Sequence, residues 1–173
     1  MFLKNERLRL RAMEPEDLDV LYTWENDPSY WMEGNTLAPY SRYVLREYIS
    51  NSNRGIYEQK QLRLMLEHDG QAAGVIDLYD FDPHNRRAAV GLLVDKGYQG
   101  QGIGTQAVDL LADYAFSILN LYQLYAYVPV SNPASRKVFD RCGFTLVGTL
   151  RGWVSAPGSM RDVWLLQRIN IQA

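Results

Sequence analysis

The 173-residue chain carries 18 lysines and arginines against 20 aspartates and glutamates, a net charge of −2. With 47% hydrophobic and 22% charged residues it has the balance of a soluble globular domain, which excludes a disordered or fibrous chain. The charge argues against a nucleic-acid partner held by bulk electrostatics. One cysteine, Cys142, rules out a disulfide framework and a thiolate-cluster metal site, and two histidines, His68 and His84, argue against a histidine-rich one. The length predicts a single domain over 1–173, large enough to bury a stable core. The first residues lack the apolar run of a signal peptide and no later run suits a bilayer, so a cytoplasmic location without a membrane partner is expected.

In chain order, Leu8-Arg9-Leu10-Arg11 alternates apolar and charged side chains as a half-buried strand does. Pro15 suits a first helical turn, and Leu18, Leu21, Tyr22 and Trp24 follow on one face. Asp27-Pro28 is expected to end that helix. An irregular aromatic stretch over 29–40 and a short helix over 41–50 come next. Strands over 62–67 and 73–79 flank Asp69-Gly70, a strong hairpin signal. Asp82-Pro83-His84-Asn85 turns the chain into a strand over 88–94, where Gly91 suggests a bulge or a close backbone approach. The period then becomes helical through Val108, Leu111, Ala112, Ala115 and Leu119. A strand over 124–128 precedes a helix capped by Asn132, with Pro133 first in it and Gly143 just past its end. Strands over 144–154 and 160–169, joined at Pro157-Gly158, close the chain. The order β-α-α-β-β-β-α-β-α-β-β predicts a mixed α/β domain, mostly antiparallel, with one β-α-β crossover.

The most informative segment is Gln99-Gly100-Gln101-Gly102-Ile103-Gly104-Thr105, between a strand and an amphipathic helix. Alternating glycines let backbone N–H groups turn inward at a helix N-terminus, where the helix dipole favours a phosphate. A plain connecting turn is the alternative. The nucleotide-hydrolase loop fails for want of a lysine after its last glycine. The dinucleotide fingerprint fails because the next strand ends in Tyr127-Val128-Pro129-Val130, without the carboxylate that would hold a ribose.

The glycine loop, then Asn132-Pro-x-Ser135 and Lys137-x-Phe139-x-x-x-Gly143-Phe144, resembles the GCN5-related N-acetyltransferase family along nearly the whole chain. Within it the sequence is most similar to the spermidine/spermine acetyltransferases and the ribosomal-protein N-terminal acetyltransferases, notably at Asn120-Leu121-Tyr122-x-Leu124-Tyr125 and Asn85-Arg86-Arg87-Ala88. The resemblance implies a mostly antiparallel sheet whose one parallel pair, 89–94 and 124–128, splays apart to admit acetyl-CoA. It implies that Leu92, Leu93 and Val94 pair with the pantetheine arm. The pyrophosphate would rest on Gln99, Gly100, Gln101, Gly102, Ile103, Gly104 and Thr105. Asn132 and Ser135 would lie along the cofactor, with Lys137 rather than Arg136 near its phosphates. No metal is implied.

Catalysis needs a base for the ammonium, donors for the oxyanion and an acid for the leaving thiolate. Polyamine acetyltransferases carry a tyrosine acid where this chain has Phe139, and relatives often have a glutamate where it has Ala89. The resemblance leaves Ser135 as the candidate acid, with a small packing residue as the alternative. Asp77 and Asp80 are the candidate bases, with His84 also in range. Tyr30, Trp31 and Glu33 are expected to wall an acceptor pocket, where aromatic faces and carboxylates suit a cationic amine. Cys142 reads as a core residue. The expected activity is acetyl transfer from acetyl-CoA to a small-molecule primary amine, a polyamine such as spermidine first. A peptide N-terminus and a non-catalytic acyl-CoA-binding regulatory domain are the alternatives, and the sequence leaves room for a homo-oligomer.

Overall fold

Leu8 and Leu10 turn inward and Arg9 and Arg11 outward on β1 (Leu8–Arg11), so the alternation does build a half-buried strand. The computed structural model describes residues 2–31 and 36–171. Pro15 opens a single 3-10 turn that leads into α1 (Leu18–Glu25). Pro28 does not merely end that helix: it begins a one-turn helix, α2 (Pro28–Trp31). Helix α3 (Arg42–Asn51) is capped by Ser41, whose hydroxyl accepts from the Val44 N–H. One further turn, α4 (Ile56–Gln59), was not legible in the sequence.

Asp69 and Gly70 both have positive φ, 49° and 78°, which is what a tight two-residue turn between β2 (Leu62–His68) and β3 (Gln71–Asp82) requires. Strand β4 (Arg87–Val94) follows the Asp82–Asn85 turn. Helix α5 (Ile103–Ser117) buries Val108, Leu111, Ala112 and Ala115 of the stripe read from the sequence, but it ends at Ser117, so Leu119 lies past the helix and is only half-buried. Strand β5 (Gln123–Pro129) and helix α6 (Pro133–Arg141) come next, and the hairpin of β6 (Thr145–Ala156) and β7 (Ser159–Ile169) ends the fold.

Among the described residues the strands form one seven-stranded sheet in the order β1-β2-β3-β4-β5-β7-β6. All neighbours are antiparallel except β4 and β5, which pair over three rungs only, Arg87↔Gln123 to Ala89↔Tyr125. Beyond Ala89 both strands continue on their outer neighbours, β4 on β3 as far as Val94↔Gly74 and β5 on β7 as far as Pro129↔Val163. The two therefore diverge, and a wedge opens at the centre of the sheet.

Helices α5 and α6 cover one face, packing on Ile76, Leu78, Ala88, Val90, Leu124, Ala126 and Val128. On the other face Leu21 and Trp24 of α1 and Ile49 of α3 pack on Met65 and Val75. Burial of each leucine, isoleucine, valine or methionine among these stabilises the fold by about 1.5–3 kcal/mol.

The expectation at Gly91 needs correction. The β3–β4 ladder runs through Asp77↔Gly91 without a shift, so Gly91 is not a bulge. The close approach is at Gly74, with φ 154°, where a Cβ would press into the Leu93 carbonyl and lie 3.0 Å from Val94 Cα. The irregularity on the β3–β4 side falls between Tyr79 and Asp82.

Candidate active site

The wedge is bordered at its mouth by the glycine loop. Gly100 and Gly102 have φ of 76° and 77°, a conformation that side chains other than Asn and Asp resist, and Gly102 is the N-cap of α5. The first bond within the helix runs from Gln106 N–H to the Gly102 carbonyl, 3.1 Å. The N–H groups of Ile103, Gly104 and Thr105 thus precede any intrahelical acceptor and point out of the helix end. Gly104 lets this end sit tightly: a Cβ there would come within 3.2 Å of Leu92 and 3.5 Å of Val94. Gln99 and Gln101 brace the loop by donating to the Val94 and Gly97 carbonyls at 3.0 and 3.1 Å.

Leu92, Leu93 and Val94 lie on the stretch of β4 that β5 has left, so that edge of their backbone has no neighbouring strand. Across the wedge, the Asn132 side chain caps α6 by accepting from the Ser135 N–H at 3.0 Å. Ser135 is half-buried and lies one turn before Phe139, on the same helix face. Phe139 is 3% exposed and packs edge-on against Phe144 at 5.0 Å. Arg136 is engaged by Asp140 at 2.8 Å and lies over the Trp164 ring, whereas Lys137 is exposed. A diphosphate joined to an extended amide arm fits this donor set: unpaired amides at a helix end, a free strand edge and an exposed lysine. Cys142 sits under the loop, its thiol 3.4 Å from the Thr105 carbonyl and pushed up to about 12, first by burial and then by Asp109.

The other face of the wedge carries Asp77, Tyr79, Tyr125 and Tyr127. Asp77 Oδ2 lies 3.6 Å from where a Gly91 Cβ would stand, so the missing side chain leaves this carboxylate facing the strand at the wedge. Both Asp77 oxygens accept from Arg63, at 2.7 and 2.9 Å, and Arg63 also pairs with Glu25. The Arg63 guanidinium lies 5.4 Å from the centre of the Tyr48 ring. Burial pushes the Tyr48 hydroxyl up to about 12. The Arg63 pairing takes Asp77 out of the pool of free bases and was not foreseen.

Asp80 is exposed beside Tyr79 and Tyr125, both of whose hydroxyls are pushed up by burial first and by the Asp80 charge next. His84 sits in the exposed turn before β4. Tyr30 and Trp31 spend their polar atoms on the scaffold. The Tyr30 oxygen accepts from the Lys96 N–H at 3.2 Å, and the Trp31 indole donates to the Glu25 carbonyl at 2.7 Å. Lys96 also binds Asp27 at 2.8 Å, and the Trp24 indole donates to Asp95 at 2.8 Å, so α1 and α2 are tied to the loop after β4. Glu33 lies outside the described residues. No group of three or more metal-ligating side chains occurs among the described residues, and none of their helices is long and apolar enough to cross a membrane.

Comparison with known proteins agrees with this geometry. Residues 7–145 match the model of the acetyltransferase (GNAT) domain. The chain is 34% identical over 146 residues to the spermidine N(1)-acetyltransferase of Escherichia coli K12, covering 83% of this chain and 75% of that protein. It is 27% identical to the ribosomal-protein-serine acetyltransferase of the same organism, over 95% and 94% of the two chains. The crystal structure of spermidine N-acetyltransferase from Vibrio cholerae with CoA and spermine superposes with a TM-score of 0.84 at 27% identity, over 95% and 96% of the chains. The wedge, the glycine loop and these matches together mean that the chain belongs to the GNAT acetyltransferase family, a family of acetyl-CoA-dependent N-acetyltransferases.

Proposed function

We propose that this protein acetylates a small primary amine of the polyamine class. The observation that carries the reading is the wedge between β4 and β5, with a glycine-capped helix N-terminus on one face and carboxylates among tyrosines on the other. The 34% identity to a spermidine acetyltransferase supports the substrate class.

Acetyl-CoA supplies the activated acyl group, and the chain's own residues position it and manage protons. The amides of Ile103, Gly104 and Thr105 hold the pyrophosphate, with Gln99, Gly100, Gln101 and Gly102 shaping the loop and Lys137 adding charge. Leu92, Leu93 and Val94 offer backbone groups to the amide arm, and β4 N–H groups on the same edge face the developing oxyanion. Asp77, held by Arg63, attracts the acceptor ammonium, whose proton leaves through water. As the nitrogen bonds to the acyl carbon and the carbon–sulfur bond breaks, Ser135 donates a hydrogen bond to the sulfur and relays a proton to it. The nitrogen sheds its second proton, so one proton per turnover reaches solvent.

One observation favours the peptide N-terminus as a second reading: Arg63 and Lys96 cancel two of the three negative charges of Glu25, Asp77 and Asp27 that would otherwise draw a polycation. Thiol release from acetyl-CoA across an amine panel decides between them. Spermidine should exceed peptides with uncharged N-terminal residues in kcat/KM. The reverse order would transfer the assignment to protein N-termini, and CoA binding without turnover would leave a binding domain.

A further inference from the structure

Of the carboxylates on α1 and β3, with Asp17 and Asp27 at the two ends of α1, nearly all hold a cation. Asp17 pairs with Arg11, Asp19 with Arg42, Glu25 and Asp77 with Arg63, Asp27 with Lys96, and Asp82 with Arg87. Asp80 is the exception among these described residues. Its placement is not that of a regular strand. Alternation would send it to the same face as the buried Leu78, but the register slips between Tyr79 and Asp82 and the Asp80 backbone takes a φ of 48°. A bulge of this kind re-aims a side chain. Here it turns the carboxylate towards Tyr125, whose hydroxyl feels its charge after the larger effect of burial.

Tyr125 forms the last rung before the wedge, and Tyr127 is the next residue on that face, 39% exposed, with the two rings edge-on at 5.7 Å. These rings, with Leu165 and Gln167, line a groove of about 330 Å³ that begins at the wedge. Arg87 at its rim is answered by Asp82 at 3.4 Å, so the uncompensated charge beside the groove is that of Asp80.

We infer that Asp80 and the Tyr125–Tyr127 groove form a second cation subsite, which holds the distal ammonium of a di- or polyamine while its reacting nitrogen lies near Asp77. This deepens the polyamine reading and rests on it, and it makes Asp80 a specificity residue rather than a base. A strand rises about 3.3 Å per residue, so three residues separate the carboxylates by up to about 10 Å. That is the end-to-end scale of an extended triamine. Tyrosine faces between two carboxylates favour alkylammonium over a neutral tail.

Asp80→Asn tests this cleanly, because asparagine tolerates a positive φ and keeps the bulge while losing the charge. Spermidine binding to the CoA-loaded protein, measured by calorimetry, should weaken about tenfold or more. In steady state, KM for spermidine should rise similarly with kcat at saturation within twofold, and KM for propylamine should not move. Equal spermidine affinity in the two proteins overturns the subsite, as does a fall in kcat for both amines, which would make Asp80 a base. A wild-type enzyme that acetylates propylamine as well as spermidine also overturns it, yet leaves amine acetylation standing. If no amine is turned over, the polyamine reading fails, and the binding measurement still decides the subsite.

Discussion

Gly102 offers a way to isolate the electrostatic part of cofactor binding from everything else. It is the N-cap of α5 at φ 77°, and a Cβ there would meet only Gln106 Nε2, at 3.9 Å. Aspartate and asparagine have the same shape and both tolerate this backbone conformation, so each variant should fold with a similar small penalty. Only the aspartate brings a charge to the place where the helix end receives phosphate. A carboxylate about 5 Å from one phosphate charge is repelled by roughly 0.8 kcal/mol in water and about 3 kcal/mol at an effective dielectric of about 20. Two pyrophosphate charges at that distance amount to about 1.7 kcal/mol in water before salt screening and to more at a lower dielectric, against the 1.4 kcal/mol of a tenfold change. Calorimetric titration of CoA should therefore show Gly102→Asp binding at least tenfold more weakly than Gly102→Asn, with the gap narrowing as salt is raised. Equal affinities in two folded variants would refute a pyrophosphate site at this helix end.

Three other outcomes follow from the same geometry. Ser135→Ala leaves the Asn132 cap intact, because the cap uses the backbone N–H, and should lower kcat about 100-fold at unchanged CoA affinity. Phe139→Tyr, which adds a hydroxyl one turn along the same face, should restore part of that loss in the double variant, and a fully active Ser135→Ala removes the serine from the reaction. Gly74→Ala forces a methyl into the Leu93 carbonyl and should cost about 3 kcal/mol or more in urea unfolding, so an unchanged midpoint would contradict the close approach. The folded Cys142 thiol, raised to about 12 by burial, stays protonated at pH 8 and should react with a disulfide reagent only on unfolding. Its contribution to stability is full below the unfolded thiol value of about 8.5 and declines as pH rises towards about 12, so fast labelling of native protein at pH 8 would disprove the burial.

The features legible in the sequence were those fixed by local chemistry. Asp69-Gly70 set a hairpin because both residues accept positive φ, Asn132-Pro133 set a helix start, and the alternating glycines marked the loop at the head of α5. What escaped depends on register. Counting outward from the Asp69-Gly70 turn puts Ile76 opposite Arg63, but a slip between Leu66 and Glu67 places Ala73 as an extra residue and brings Asp77 opposite instead. That single bulge creates the Arg63–Asp77 pair, and no local pattern announces it. The same holds for Asp80, whose orientation reverses at an irregularity no hydrophobic period predicts. The packing roles of Tyr30 and Trp31 depend on where Lys96 and Glu25 arrive from distant elements. Gly91 was misjudged because a glycine in a strand marks a bulge, a close approach or room for a neighbour's side chain with the same letter. Here it is the third, for Asp77 and Tyr79.

Acidic residues on the acceptor side do not measure its attraction for amines; their partners do. Glu25, Arg63 and Asp77 together carry one net negative charge, and the Asp27–Lys96 pair carries none. Side chains so close-set also lose freedom to follow a ligand, so Arg63 fixes where Asp77 points even as it cancels half of the cluster's negative charge. Removing Arg63 would leave two partly buried carboxylates uncompensated, a loss of the order of 3–5 kcal/mol for a buried pair. The arginine is therefore kept for position, and it leaves a residual charge suited to one ammonium at the wedge. Any preference for a second ammonium has to come from a carboxylate outside this network. The bulge at Asp80 supplies one, which ties the choice between a monoamine and a polyamine to one residue of backbone irregularity in β3 and not to the overall acidity of the face.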